Sequence, residues 1–445
     1  MLKAPALTLV LSVALTLPAP AAAPGDGSIP IPPATARLTT ADVTTWSLDP
    51  NASTGAAAES VSDDPVVRGR YLATAGNCVD CHTSAGGAPF AGGRPIVTPF
   101  GTIYSSNITP DPETGLGGVG ADQFYRAMHE GVGHRGEPLY PAFPYPYFTR
   151  LTRQDTDAIH AYLATVAPVR QAKPPNRLPF PVNLRAILLL WKALFFHPAT
   201  FAPDPAQSAA RNRGAYLVTG PGHCGACHTP KNLLGADENR RALQGGRIDD
   251  WAAVSLAGDL GDGLGSWSQD DVVQFLRTGR NARASASGSM TEVIYFSTSR
   301  LSDADLAAIA VYLKSLPPSG RGPPLGAPSP AALAAGAAVY ADACSGCHRA
   351  NGEGQPGTFP PLQGNAQLQA HDPTTVIRII LEGARATPTP GRPTPLAMPA
   401  FGFKLTDQQV ADVATYARAS WGNAAAPVSA AQVDGLRRRL ARADD

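Results

Sequence analysis

The sequence is poor in charged residues and has no excess of either sign. Only 16% of its 445 residues are Asp, Glu, Lys or Arg, and the formal net charge is +1. It also lacks a Gly-x-Gly-x-x-Gly fingerprint after a predicted strand, which a nicotinamide or flavin dinucleotide site would need. A nucleic-acid partner, which requires a basic patch or stripe, is therefore not expected, and neither is a dinucleotide cofactor.

The N-terminal apolar segment is short. Residues 7–17 cannot comfortably span a bilayer, which takes about 20 residues. The segment follows Lys3 and precedes the small residues Ala19-Pro-Ala-Ala-Ala23, which together form the pattern of a secretory signal and its cleavage site. We predict a signal peptide over residues 1–23, rather than an uncleaved anchor, and export to the oxidising periplasm.

Cysteine is scarce, and no cysteine stands outside one motif. Cys-x-x-Cys-His is the attachment signature of c-type haem. Its two thiols, one helical turn apart, bond the haem vinyl groups, and the histidine becomes the proximal iron ligand. A disulfide framework would not explain the histidines, and zinc sites would need a second pair of ligands. We predict three covalently bound haem c groups, on Cys78, Cys81 and His82, on Cys224, Cys227 and His228, and on Cys344, Cys347 and His348.

The surroundings of this motif also occur three times. A helical segment with a Gly/Tyr pattern precedes each motif, a middle helix ends before a glycine, and a last helix begins at Thr152, Ser302 or Thr406. Each of these is an N-cap, and the acid or Gln three residues later completes a capping box. We predict an all-α fold of three tandem class I cytochrome c domains, with the first helix crossing the last. Their ranges are 60–168, 205–318 and 328–425, with proline-rich stretches between them.

Methionine is as scarce as cysteine. Beyond Met1 the chain has Met128, Met290 and Met398, one in each unit and downstream of its haem motif. A low-spin haem usually has a second axial ligand, often methionine, although methionine also serves as core filler. Met290 and Met398 lie in predicted loops between the middle and last helices. We therefore predict that they bind the second and third haem irons.

The first unit departs from this pattern. At the position that Met398 occupies in the third unit, the first unit has Phe143, which cannot bind iron. Met128 lies instead within the middle helix. The first haem is thus bound by Met128, by His129 or His134, or has an open sixth site. We favour Met128 because methionine is scarce and this residue is near the required face of the helix.

Further motifs lie between and after the haem signatures. They are Thr98-Pro-Phe-Gly-Thr-Ile-Tyr104, Asn107-Ile-Thr-Pro-Asp111, Leu139-Tyr-Pro-Ala-Phe-Pro-Tyr145, Thr229-Pro-Lys-Asn-Leu-Leu-Gly235, Gly265-Ser-Trp-Ser268, Met290-Thr-Glu-Val293 and Ser420-Trp-Gly-Asn423. Over residues 65–435 the chain resembles the three-haem cytochrome c subunits of membrane-bound periplasmic dehydrogenases for alcohols, gluconate and aldehydes. The combination of Met128 with Phe143 looks more like the cytochrome subunits of molybdenum hydroxylases.

The resemblance implies an electron-transfer subunit and not an enzyme. A separate catalytic subunit of the flavin, quinoprotein or molybdenum type would oxidise a small organic substrate. Its electrons would pass through the three haems to ubiquinone or to a downstream cytochrome. One alternative is a free periplasmic shuttle. Another is a haem peroxidase that uses an open first haem, with His129, Glu130 and His134 as acid–base groups.

One internal segment suggests contact with a membrane. Residues 185–197 hold eleven mostly apolar residues between Arg185 and His197, too few to span a bilayer, which takes about 20. Aromatic and basic residues in such a segment are typical of an interfacial helix. The alternative is a helix packed between haem domains. We predict a periplasmic protein that is peripheral on the outer face of the cytoplasmic membrane, and a solvated helix end for the basic residues 436–442.

Overall fold

A computed structural model of the chain describes residues 62–322, 326–389 and 394–443. The predicted signal peptide, residues 1–23, lies outside these ranges. The regular structure is mainly helical, and three two-stranded antiparallel hairpins accompany the helices. The prediction of an all-α fold did not include these hairpins. The helices form three successive repeats, and the predicted domain boundaries remain a prediction.

The first repeat begins at a capped helix. The Asp64 carboxylate accepts the N–H of Val66 at 2.8 Å, and Pro65 is the first helical residue. The elements are α1 (Pro65–Ala75), α2 (Cys78–Cys81), β1 (Pro95–Thr98), β2 (Gly101–Tyr104), α3 (Ala121–Glu130), α4 (Tyr145–Phe148) and α5 (Arg153–Leu163), followed by a connecting helix, α6 (Ile187–Phe195).

The second repeat has the same order of elements. The predicted middle helix is confirmed, with Ser268 as its N-cap and Gly279 in the left-handed conformation at its C-terminal end. The elements are α7 (Ala209–Thr219), α8 (Gly225–His228), a 3₁₀ turn (Asn239–Arg241), β3 (Gln244–Ile248), β4 (Trp251–Ser255), α9 (Gln269–Thr278), α10 (Ser289–Phe296), a 3₁₀ turn (Thr298–Arg300) and α11 (Asp303–Lys314).

The third repeat adds a C-terminal helix. Its middle helix begins at Thr374, whose N–H donates to the Asp372 carboxylate at 2.9 Å across a Pro373 that is not yet helical. The elements are α12 (Pro330–Ala343), α13 (Ser345–His348), α14 (Ala366–Gln369), α15 (Thr374–Glu382), β5 (Ala384–Arg385), β6 (Ala397–Met398), α16 (Asp407–Ala419) and α17 (Ala430–Ala443).

A glycine sets the closest contact between the first and last helix of every repeat. A Cβ on Gly69 would lie 1.8 Å from the carbonyl oxygen of Ala158, and the corresponding distances are 1.9 Å for Gly214 and 2.2 Å for Gly336. Each glycine also faces the Cβ of a tyrosine on the last helix, Tyr162, Tyr312 or Tyr416. The crossing predicted from the Gly/Tyr pattern is thus present in all three repeats.

Three hydrophobic clusters form the core, and each is centred on one repeat. The cluster of the second repeat, which includes Leu306 and Ile309, also takes in Tyr71 and Ala75 from α1. The first two repeats therefore share buried apolar surface, which is the main source of association between packed elements.

Candidate haem-binding sites

The three Cys-x-x-Cys-His motifs adopt one conformation. In each, the backbone N–H of the histidine donates to the carbonyl of the first cysteine at 3.0 Å, which closes a single helical turn. All six cysteines lie within the described residues, and none of them is in a disulfide. Both thiols of a pair are thus free and one turn apart, as attachment to two vinyl groups requires.

Each motif histidine is held by its Nδ1 atom. Nδ1 lies 2.7 Å from the Ser106 carbonyl oxygen in His82, 2.8 Å from that of Val254 in His228 and 3.0 Å from that of Pro360 in His348. A carbonyl can only accept, so Nδ1 carries the proton and Nε2 keeps its lone pair. A backbone carbonyl that orients the ring in this way is usual for metal-binding histidines.

Desolvation keeps these imidazoles neutral. Burial lowers the pKa of His82, His228 and His348 below the usual value for histidine, against a weaker opposing effect of each carbonyl hydrogen bond. At neutral pH the rings are therefore unprotonated at Nε2 and able to bind iron. Within the described ranges no three His, Cys, Asp or Glu side chains gather as a metal site of their own. The residues of each motif fit haem attachment, because two free thiols are available to the haem and one histidine nitrogen to its iron.

The structure places the predicted methionine ligands on different kinds of element. Met290 is the second residue of α10, and Met398 lies in β6 opposite Ala384, so the prediction that both are in loops was wrong. Both do lie between the middle and last helices of their repeats, and both are half-buried. Their assignment as axial ligands stays a prediction.

Met128 is the most buried of the three methionines at 4% exposure. It lies on α3 in the core cluster of the first repeat, against which Cys78 and Phe143 also pack. Of the alternative ligands, His129 stacks on Tyr125 with ring centroids 4.9 Å apart, and the exposed His134 accepts a hydrogen bond from Arg135 at 3.2 Å. Met128 therefore shares a cluster with the first haem motif, which favours it over the two histidines.

An arginine that the sequence analysis did not identify links the first two haem motifs. The Arg94 guanidinium forms an ion pair with Asp80, one of the two residues between Cys78 and Cys81, and donates to Glu292 on α10 at 3.0 Å. Its side chain is 15% exposed. Glu292 is two residues from Met290, so Arg94 connects the first haem motif to the helix that carries the predicted ligand of the second haem.

A second arginine occupies the corresponding position of the second repeat. Arg247 contacts Asp372 at 2.6 Å and the hydroxyl of Thr374 at 2.6 Å, both at the start of α15 in the third repeat. The sequence carries a signal for this pair: Gly92-Gly93 precedes Arg94, and Gly245-Gly246 precedes Arg247. In each case an arginine of one repeat reaches a carboxylate of the next.

The first two repeats are also joined by reciprocal hydrogen bonds. Tyr71 on α1 donates to Asp305 of α11 at 2.6 Å, and Tyr216 on α7 donates to Asp155 of α5. The same carboxylates pair within their own repeats with Arg213 and Arg68, respectively. The two repeats thus face each other through equivalent residues, in a pseudo-twofold arrangement.

Comparison with known proteins agrees with this geometry. The family model of cytochrome c matches residues 66–167 and 333–421, so the class of the protein is cytochrome c. The gluconate 2-dehydrogenase cytochrome c subunit of Pantoea cypripedii is 43% identical over 85% of this chain and 91% of that protein. The cytochrome c subunit of quinone alcohol dehydrogenase from Gluconobacter oxydans is 41% identical over 86% and 85%.

A third relative differs in length. A nicotinate dehydrogenase chain of Pseudomonas putida is 41% identical over 79% of this chain but only 30% of its own length. The sequence-based resemblance to the cytochrome subunits of dehydrogenases is thereby confirmed. The chain belongs to the family of dehydrogenase cytochrome c subunits, which bind haem c covalently.

Proposed function

We propose that the protein is a three-haem electron-transfer subunit of a periplasmic dehydrogenase complex, built from three cytochrome c domains. The observation that carries the proposal is the threefold Cys-x-x-Cys-His turn, in which His82, His228 and His348 are each oriented by a backbone carbonyl at Nδ1. Bound haem supplies a one-electron iron couple at each turn. The chain's own residues attach the haem, orient the imidazoles and exclude water from them.

The partner in this proposal is a catalytic subunit that oxidises a small organic substrate. The relatives are named as cytochrome subunits of gluconate, alcohol and fructose dehydrogenases, and so as companions of a separate catalytic chain. By extension, this chain accepts electrons from a flavin, quinoprotein or molybdenum subunit. It passes them to ubiquinone or to a downstream cytochrome.

We further propose that α6 lies on the membrane surface. One face packs on the first repeat: Leu188 is buried and Lys192 donates to the Glu130 carbonyl at the end of α3. The opposite face exposes Leu189 (61%), Leu190 (62%) and Leu194 (58%). An interfacial position would cover these exposed leucines. No helix in the described part of the chain is long and apolar enough to cross a bilayer.

The test is to isolate the holoprotein from mild-detergent-treated membranes of its natural host and to identify what accompanies it. We expect three haems per chain and a catalytic dehydrogenase subunit in fixed ratio. A matched control is the double variant Cys344→Ala, Cys347→Ala, which should retain two haems. Recovery of a lone cytochrome would instead support a free shuttle. A high-spin first haem in that lone protein would support the peroxidase alternative.

A further inference from the structure

A cavity of about 340 Å³ opens just before α6. The segment around Tyr140 forms one wall, and the proline-rich residues 173–185 form the other, with the Tyr140 hydroxyl donating to the Val182 carbonyl at 2.8 Å. Amide side chains from Asn176 and Asn183 line it, and none of the residues that line it is acidic. The cavity is thus polar, and its charged groups are of one sign.

Two cations converge on this cavity. Lys173 donates to the Asn176 side-chain oxygen at 2.8 Å. Arg185 donates to the Pro138 carbonyl at 2.7 Å, and its guanidinium lies 5.1 Å from the centroid of the Tyr140 ring. Neutral partners therefore hold both side chains in place. In the described ranges neither cation forms an ion pair, although most arginines of this protein do.

The two cations also repel each other. Burial lowers the pKa of Lys173, and the charge of Arg185 lowers it further. An anion in the cavity would be attracted by both groups and could accept hydrogen bonds from the lysine, the guanidinium and the amides. A phosphate has the several acceptor oxygens that such a donor set needs.

Exposed apolar side chains lie on the same segment as the lining residues Leu178, Asn183 and Arg185. Phe180 is 79% exposed and Leu184 is 51% exposed, and Ile187 continues this exposed surface into α6. An anion site on a segment that also exposes apolar residues suits a phosphate that is joined to acyl chains more than a free phosphate. The cations complement an anionic lipid headgroup, and the apolar residues complement its chains.

We propose that this cavity binds the phosphate group of an anionic phospholipid. The inference rests on the proposed membrane position of α6 and names the lipid class recognised there. Lys173 and Arg185 contact the phosphate, while Phe180 and Leu184 enter the acyl boundary.

The first test is binding of the holoprotein to vesicles of phosphatidylcholine alone and of phosphatidylcholine with phosphatidylglycerol. We expect wild type to prefer the anionic vesicles, and Lys173→Gln and Arg185→Gln each to reduce that preference about fivefold. Arg438→Gln removes one exposed positive charge from the basic C-terminal helix and should leave the preference unchanged. Full preference in the Lys173→Gln, Arg185→Gln double variant would overturn the proposal, as would its loss in Arg438→Gln alone.

The second test separates this inference from the proposed membrane position. Leu189→Gln with Leu190→Gln should weaken binding to both kinds of vesicle equally, because it removes apolar contact and no charge. If wild type binds neither vesicle, the membrane position itself is wrong.

Dispersed short-chain phosphatidylglycerol and glycerol phosphate are then compared by calorimetry. The site is supported if the wild type binds the lipid, if the double variant does not bind it, and if the wild type binds glycerol phosphate far more weakly. Equal binding of both assigns it to a soluble phosphate and overturns the lipid proposal. Binding of neither overturns the site itself. Unchanged haem spectra verify that each variant is folded.

Discussion

Arg94 sits between two carboxylates that belong to different repeats. Its guanidinium pairs with Asp80 inside the first haem motif and with Glu292 near Met290. A buried positive charge favours the reduced form of a nearby iron, because reduction adds an electron. We therefore expect Arg94 to influence the reduction potentials of the first and second haems of the proposed function.

We predict that Arg94→Gln lowers the potentials of the first and second haems by on the order of tens of millivolts. Burial raises the pKa of Glu292 to about 7, so Glu292→Gln removes a negative charge and should raise the potentials when they are measured above that pH. Spectroelectrochemical titration of the holoprotein measures both changes. Arg153→Gln, at an exposed ion pair with Asp157, is the matched control and should have little effect. Unchanged potentials in Arg94→Gln would show that the bridge is only structural.

The methionines give a second prediction at the level of single residues. Met128→Leu, Met290→Leu and Met398→Leu should each remove the methionine–iron signature of one haem in the ferric spectrum and leave the other two intact. Met290→Leu and Met398→Leu serve as controls for Met128→Leu. If Met128→Leu leaves three signatures or if wild type has only two, the first haem uses another ligand or none.

Single residues also mark the limit of what the sequence predicts. The Cys-x-x-Cys-His spacing is a local pattern, so it predicts the conformation of each turn. The carbonyls that orient the histidines belong to Ser106, Val254 and Pro360, which are 24, 26 and 12 positions away. No pattern in the chain specifies which carbonyl a folded loop will present. The sequence therefore predicts the attachment residues, but it does not predict the carbonyls that orient the histidines.

At the level of elements, the glycine crossings determine how the helices pack. Gly69, Gly214 and Gly336 leave no room for a Cβ, because a carbonyl oxygen occupies its place. We predict that alanine at each position costs about 1–3 kcal/mol of stability through overpacking. Gly435→Ala, on a helix with no atom closer than 3.8 Å to the new Cβ, should instead stabilise by up to about 1 kcal/mol.

Thermal or denaturant unfolding of the holoproteins measures these differences. Gly435→Ala controls for helix propensity, since it makes the same substitution without a steric contact. If Gly69→Ala were as stable as wild type, the close approach of α1 and α5 would not be required for packing.

Helix starts were predictable because capping is local. Thr152, Ser302 and Thr406 accept the N–H three residues later, as expected. Only Thr406 has the full capping box, however. The carboxylates of Asp155 and Asp305 instead bind the other repeat, so the capping boxes predicted there are incomplete. The sequence cannot distinguish an acid that caps its own helix from one that contacts a distant tyrosine.

The hairpins were missed for a related reason. Strands β1 and β2 have four residues each and pair around the turn Thr98–Gly101, which is too short for a reliable alternation of polar and apolar residues. Their paired partners, such as Ile96 and Ile103, are all at least partly accessible. Short strands of this kind carry little hydrophobic signal in the sequence.

At the scale of the whole molecule, the reciprocal tyrosine contacts make the first two repeats one structural unit. We predict that Tyr71→Phe and Tyr216→Phe each destabilise this unit by about 1–3 kcal/mol, because each leaves a buried carboxylate short of a donor. Since both substitutions act at one interface, the loss of stability in the double variant should differ from the sum of the two single losses. Tyr340→Phe removes a hydrogen bond to the Arg349 carbonyl within the third repeat and is the control.

Calorimetry of the holoprotein resolves these cases. Tyr71→Phe should lower the transition of the first two repeats, and Tyr340→Phe should lower that of the third. A single transition that shifts equally in all variants would contradict the division into a paired unit and a third repeat.

The third repeat lacks the residues of the reciprocal contact. Ala335 and Ala338 stand at the same distances from Gly336 as Arg68 and Tyr71 do from Gly69. Gln409 stands three residues after the N-cap of the last helix, as Asp155 does. It joins the second repeat differently, through Arg247 and through Thr375, whose hydroxyl donates to the Ala252 carbonyl at 2.9 Å. The repeats are therefore similar in fold but not interchangeable in position.

Arginine bridges connect the three repeats in series. Arg94 reaches from the first repeat to the second and Arg247 from the second to the third, whereas Arg439 of the third repeat pairs back with Asp250 of the second. Because the first two repeats form a pseudo-twofold pair and the third joins the second through other residues, the assembly has two unlike ends. An electron donor and an electron acceptor that dock at opposite ends would meet different surfaces. The order of the repeats would then determine the direction of electron transfer along the molecule.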